Sequence, residues 1–275
     1  MEKSFDVRFP LESDYEKLKK LWRTAFDDGE DSLDFFFKNT VSPERVLAVF
    51  RGDTPVSALY MLESEIVFRG KTYRSYYIYA VCTHPDFRKK GLMKSLFNRL
   101  FEIAEERGID YLFLVPEEKY LFEVYKKQGF ETGFTYSRKT LYRGDFETGK
   151  EEITDNLSYG EYRDIVSRNP REFPVAVLKE STFESFFGSV SGEVKAVYIK
   201  DAGYALAEET EEQLTVFELF GDEKRLLSAV FRNTDKNSLI YRYKTNEDSF
   251  PYGMYYKFGN VPKIENGFFG IPYST

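Results

Sequence analysis

The sequence predicts an α+β fold of the mixed α/β kind, with helices packed on a central, twisted and mostly antiparallel sheet. Three observations carry that expectation. Residues 45–82 hold three extended runs rich in Val, Ile, Tyr and Phe, separated by short turns. A long amphipathic stretch over 90–107 follows, and Tyr111–Val115 is then a short unbroken apolar run, the mark of a buried strand.

Taken in order, Phe5–Phe9 reads as a short strand and about Ser13–Phe26 as a helix. Ser13 suits the N-cap, with Glu16 completing a capping box. Leu18, Leu21, Trp22 and Ala25 share one face of it. A second short helix, Ser32–Val41, carries Leu33, Phe36 and Phe37, and Pro43 ends the region. The meander comprises Arg45–Phe50, Val56–Phe68 and Tyr73–Cys82, with turns at Gly52-Asp53-Thr54-Pro55 and Arg69-Gly70-Lys71. The helix over Lys90–Arg107 turns Leu92, Leu96, Leu100, Ile103 and Ala104 inward and stops at Gly108. A helix over Tyr120–Gln128 ends at Gly129, and strands near Phe134–Arg138 and Thr140–Arg143 close the unit.

Residues 144–160 are polar and turn-rich and read as a linker, which gives domains at 1–143 and 161–275. The second part repeats the scheme: strands over Glu193–Ile199, Gly203–Glu209 and Gln213–Phe220, a helix over Asp222–Arg232 and a strand over Ser238–Tyr243. The two halves share no clear sequence identity. Residues 260–275 carry Phe268, Phe269 and Tyr273 and are expected to dock on the body of the protein.

Composition bounds the function. The 275 residues are 42% apolar and 31% charged, enough for a core of real size under a soluble surface. Aromatics reach 18%, with 27 Phe and 21 Tyr, and suit core and cleft lining. A net charge of −7 argues against nucleic acid, which calls for a basic face, and leaves room for a cationic amine. One cysteine, Cys82, and one histidine, His84, cannot form a disulfide framework or a His/Cys metal cluster. No signal peptide and no apolar run of roughly 18–20 residues is present, so no membrane partner and a cytoplasmic, reducing location are expected.

The stretch that carries chemistry runs from Tyr79 to Leu96. A strand reaches about Thr83, a turn passes through His84-Pro85-Asp86, and the basic loop Arg88-Lys89-Lys90-Gly91-Leu92-Met93 opens a helix. The N–H groups at a helix start have no intrahelical partner and sit at its positive end, so such a loop can wrap a diphosphate. Gly91 lets the backbone approach closely. Each helix-end contact contributes roughly 0.3–1 kcal/mol, so several are needed. A solvated basic helix start, with a glycine for steric reasons, explains the same letters equally well. Neither GxxxxGK[ST] nor GxGxxG after a strand occurs.

The run Val81-Cys-Thr-His-Pro-Asp-Phe-Arg-Lys-Lys-Gly-Leu-Met resembles the acetyl-CoA signature of the GCN5-related N-acetyltransferase (GNAT) superfamily. Arg88 stands at the Q/R position of Q/R-x-x-G-x-G/A and Gly91 at its first glycine, while Met93 replaces the second small residue. That departure is similar to the tandem Eis-type (enhanced intracellular survival) members. The resemblance implies that Val81, Cys82 and Thr83 meet the pantetheine arm in a splay between two strands. It implies that Arg88, Lys89, Lys90, Gly91, Leu92, Met93 and Lys94 meet the diphosphate. Tyr120–Phe130 likewise resembles the family's Tyr-x-x-x-Gly-Phe helix, which puts Tyr125 at the position that protonates the leaving thiolate.

A base for the amine is not assigned. Glu63, Glu65, Glu117, Glu118 and the terminal carboxylate of Thr275 are open to the role; in Eis-type enzymes the terminal carboxylate comes from a third domain that this chain is too short to hold. His84 reads as a loop residue, and Cys82 as a small strand residue rather than a nucleophile. In the second half, Asp222 and Glu223 put negative charge where a diphosphate would sit, so that half is expected to be a degenerate GNAT-like domain that contributes to the cleft or to a homo-oligomer contact. The expected activity is acetyl transfer from acetyl-CoA, as co-substrate and with no metal, to a small-molecule or peptide amine. A non-catalytic acyl-CoA-binding module and a tRNA-dependent aminoacyltransferase of tandem GNAT fold are the alternatives.

Overall fold

The computed structural model describes residues 4–146, 154, 156–187, 194–244 and 249–270. Its first half holds β1 (Phe5–Arg8), α1 (Tyr15–Trp22), α2 (Glu30–Asn39), β2 (Val46–Arg51), β3 (Thr54–Phe68), β4 (Lys71–Thr83), α3 (Leu92–Glu106), β5 (Tyr111–Leu114), α4 (Lys119–Lys126) and β6 (Glu131–Tyr142). There follow α5 (Tyr159–Arg168), β7 (Val175–Leu178), α6 (Glu180–Phe187), β8 (Val194–Ile199), β9 (Gly203–Glu209), β10 (Leu214–Gly221), α7 (Glu223–Arg232), β11 (Ser238–Tyr243) and β12 (Phe250–Lys257).

The strands form one sheet in the order β1-β2-β3-β4-β5-β12-β6-β11-β10-β9-β8, with β7 added against the outer part of β3. Pairing is antiparallel except at β4–β5 and β10–β11. The repeat expected from the sequence is visible in this order. Strands β2-β3-β4, helix α3 and the parallel strand β5 have their counterpart in β8-β9-β10, α7 and β11.

The stretch 144–160 read as a linker lies partly outside the described residues, and the halves also meet within the sheet. The two strands expected over 134–143 are one, β6, and it serves both halves: Glu131–Tyr136 pairs with β12 and Ser137–Tyr142 with β11. Strand β12, from the end of the chain, fills the place between β5 and β6. Its run Phe-Pro-Tyr-Gly-Met-Tyr-Tyr-Lys contains a proline and a glycine, which weaken a strand signal. The ladder absorbs them with register shifts beside Gly253, where a Cβ would stand 3.1 Å from the Leu114 carbonyl oxygen.

Helices α3 and α4 cover one face of the first-half strands, where Leu96, Phe97, Leu100 and Phe130 join Val49, Leu59, Met61 and Leu112. The opposite face carries Leu18, Trp22, Phe36 and Phe37 together with Tyr162, Phe183 and Phe217 from the second half. A third cluster lies under α7. The start of α1 differs from expectation: residues 12–14 form a 3-10 turn, and Asp14, not Ser13, receives a backbone N–H, that of Leu11 at 3.1 Å. Helix α5 begins inside the stretch read as a linker, where Ser158 and Glu161 form a reciprocal capping box.

Candidate active site

Strands β4 and β5 form a fork. They pair over only three steps, the last being Tyr77 with Phe113. Beyond it β4 is bent by a bulge: Tyr60 faces Tyr79 and Ala58 faces Cys82, so Ala80 and Val81 together oppose Leu59. Ala80 has φ +48°, a left-handed conformation that side chains disfavour and that the ladder on both sides imposes. The bulge lies just past the last β4–β5 pair, where the ladder between the two strands ends. Ala80 carries no letter-level signal, which is why the sequence shows the strand but not its bend.

The three residues at the fork's open arm are held from behind. Ser57 on β3 donates its hydroxyl to the Cys82 carbonyl at 2.8 Å and lies 2.7 Å from the Thr83 hydroxyl. Val81 packs toward α3, while the Cys82 side chain is buried on the other face. Burial pushes the Cys82 thiol up to about 12, so it stays protonated and is a poor nucleophile.

The basic loop then turns sharply. His84 accepts the Asp86 N–H at 3.3 Å and caps the turn Pro85–Phe87. Arg88 donates to the Thr83 carbonyl at 3.2 Å, and the Lys90 ammonium lies 5.0 Å from the centre of the Phe87 ring. Lys89 and Gly91 are both left-handed, at φ +61° and +77°. Space beside Gly91 is open, since a Cβ there would meet nothing within 4 Å. The glycine therefore answers to backbone direction and not to crowding. The first helical bond of α3 runs from Ser95 to the Gly91 carbonyl at 3.1 Å. The N–H groups of residues 89–94 consequently have no acceptor among the described residues, and helix starts left open in this way suit anions. The Leu92 side chain is buried in the core, so only its backbone is offered.

Tyr125 lies on α4, with its ring edge-on to Phe97 at 5.9 Å and to Phe130 at 6.2 Å. Burial raises its phenol well above the ordinary value, and the charges of Tyr120, Cys82 and Glu117 add to the effect. The phenol is neutral at physiological pH and able to donate.

Of the carboxylates open to a base role, Glu63 is paired with Arg45 at 2.8 Å, and Glu65 is buried between Arg163 and Lys179. Both serve the junction of β3 with the second half. Glu117 neighbours Tyr125, and Glu118 is the N-cap of α4. Thr275 lies outside the described residues.

The second half has the same fork without the anion cradle. Strands β10 and β11 pair over two steps, and β10 is bulged between Val216 and Glu218. Asp222 caps α7 by accepting the Arg225 N–H at 3.1 Å, and its own N–H goes to the Ala202 carbonyl. Glu218, next to the bulge, is a buried carboxyl that accepts the Tyr204 hydroxyl. Among the described residues no helix is long and apolar enough to cross a membrane, and no group of three or more His, Cys, Asp or Glu residues is placed to hold a metal ion.

Residues 6–133 match the family model described as an acetyltransferase (GNAT) domain. Comparison with curated proteins gives no match. Among solved structures, the chain is similar to a probable N-acyltransferase from Enterococcus faecalis (TM-score 0.74, 13% identity, 92% of this chain and 72% of that one). A GCN5-related N-acetyltransferase from Kribbella flavida gives TM-score 0.72 and 16% identity, over 92% and 71% of the two chains. Eis1 from Mycobacterium abscessus gives TM-score 0.69 and 14% identity, over 92% and 73%. The signature at Arg88–Gly91 lies within the matched residues, and residues 6–133 have the fold of a GNAT acetyltransferase domain.

Proposed function

We propose that the protein moves an acetyl or related acyl group from acetyl-CoA to a primary amine by direct attack, in one site in the first half. The observation that carries this reading is the pairing of the β4–β5 fork with the unbonded N–H groups of residues 89–94 at its mouth. The diphosphate sits on those groups, with Arg88, Lys89, Lys90 and Lys94 adding positive charge to an acidic chain. The pantetheine arm enters the fork beside Val81, Cys82 and Thr83.

The amine nitrogen attacks the thioester carbonyl carbon, the C–N bond forms, and the C–S bond breaks. Tyr125 gives its proton to the departing sulfur, and the proton lost by the nitrogen returns through solvent to the phenolate. Burial raises the basicity of the thiolate as it raises the phenol, so the two stay matched in the dry cleft. The Cys82 thiol takes no part. The second half, with Asp222 on its helix start, holds no CoA and acts as a degenerate partner domain that completes the cleft.

The test is acetyl-CoA-dependent thiol release measured against a panel of amines, polyamines, aminoglycosides and peptides. Turnover with an amine supports the reading. Acetyl-CoA binding without turnover on any amine favours a non-catalytic acyl-CoA module, and acyl transfer that requires charged tRNA favours an aminoacyltransferase.

A further inference from the structure

The segment after β12 runs back over the sheet as a strap. The Tyr111 hydroxyl donates to the Pro262 carbonyl at 2.6 Å, and Gly267 bonds to Gly133 and Thr135 at 2.7 and 3.0 Å. Phe268 bonds through its backbone to Pro174 and Ala176, and the Gly270 backbone bonds to Glu218. Phe269, 4% exposed, lies within this run.

Its ring contacts are specific. Tyr77 and Phe113 stack at 5.2 Å with 12° between their planes, and they are the last paired residues before β4 and β5 part. Phe269 stands edge-on to both, 5.1 Å from Tyr77 and 4.8 Å from Phe113. A fork has no inter-strand hydrogen bonds past its apex, so side chains at the apex set how far its arms open. The β5 arm is held along its outer edge by β12, through Leu114 with Met254 and Phe113 with Tyr255. The β4 arm is bonded to β3 across a bulge at Ala80, which makes it the softer of the two.

We propose that Phe269 is a positioning residue for acyl transfer: wedged against the Tyr77–Phe113 stack, it fixes the aperture of the fork that holds the thioester. The inference rests on the fork being the acyl-CoA site. The diphosphate cradle at 89–94 lies past the open end of β4, so the wedge governs where the thioester sits and not whether CoA is anchored. A displacement of about 1 Å at a reacting centre costs on the order of 10²-fold in rate, whereas affinity set elsewhere is kept.

The experiment compares wild type, Phe269→Ala, Phe269→Leu and the control Phe268→Leu. Backbone hydrogen exchange of peptides covering 76–83 and 111–116 is followed in the free protein, beside kcat and calorimetric acetyl-CoA affinity. We expect about tenfold faster exchange and about tenfold lower kcat in Phe269→Ala, about threefold in Phe269→Leu, and acetyl-CoA Kd within about threefold in both. Phe268→Leu changes thermal stability but neither fork exchange nor kcat. If Phe269→Ala does not fold, Phe269→Leu against Phe268→Leu decides. Unchanged fork exchange and kcat in the folded Phe269 variants overturn the proposal, as does an equal loss in Phe268→Leu. Exchange is read without substrate, so a wild type that binds no acetyl-CoA refutes the acyl-transfer reading separately from the wedge.

Discussion

Lys89 and Gly91 are both left-handed, two residues apart, at φ +61° and +77°, in the loop between β4 and α3. Only one of the two is glycine. Gly91→Ala meets no atom within 4 Å and so tests conformation rather than packing. Left-handed backbone costs an alanine about 1–2 kcal/mol, so the melting temperature should fall by a few degrees. Acetyl-CoA affinity, followed by calorimetry, should fall about tenfold because the methyl group projects into the space that a diphosphate needs. Full affinity in Gly91→Ala would remove that space from the binding site.

Tyr125→Phe removes the hydroxyl and keeps the ring between Phe97 and Phe130. Turnover should drop by about 10²-fold or more, with acetyl-CoA affinity changed less than about twofold. Steady-state kinetics beside calorimetry checks it, and wild-type turnover in the variant would exclude Tyr125 as the acid.

What could be read from the letters was local. Arg88, Gly91 and the spacing from Tyr125 to Gly129-Phe130 are short-range patterns, and they fall on the loop before α3 and on α4. Strand ends in the second half, Gly203–Glu209 and Ser238–Tyr243, were legible for the same reason. The rest depends on partners far along the chain. Nothing local bends β4 at Ala80, an ordinary residue forced left-handed by the ladders around it. Pro251 and Gly253 hide β12, which becomes a strand because β5 and β6 offer it two edges. Phe269 meets Tyr77 across almost 200 positions, so no window on the sequence joins them. The capping box at Ser158 and Glu161 was present as a signal and was masked by the polar residues around it.

Cys82 should be inert. With its thiol buried and raised to about 12, the thiolate fraction at pH 8 is about a thousandfold below that of an unperturbed cysteine. Iodoacetamide labelling followed by intact mass should be slow in the native protein and fast in denaturant. Cys82→Ala should keep more than about half of the turnover. Rapid native labelling with parallel loss of activity would contradict this.

Glu218 predicts a pH dependence of stability. Burial raises its carboxyl to about 8 in the folded protein, although the Tyr204 hydroxyl and the Gly270 backbone oppose the shift. The folded state therefore holds a proton that the unfolded chain releases near its ordinary carboxylate value. That contribution is full below about pH 4 and is lost as pH rises through about 8. Thermal melts of wild type should fall between about pH 5 and 8 and level off above that, while Glu218→Gln, which cannot ionise, should give a flatter profile. Parallel profiles would show that Glu218 does not control this range.

Acetyl-CoA binding by calorimetry, in wild type and in a variant with Arg88, Lys89 and Lys90 made uncharged, tests the diphosphate cradle most directly. Wild type should bind, with affinity that weakens as salt rises, and the variant should bind at least about tenfold more weakly with a shallower salt dependence. Equal affinity and equal salt dependence in the two proteins would contradict a CoA site at the start of α3.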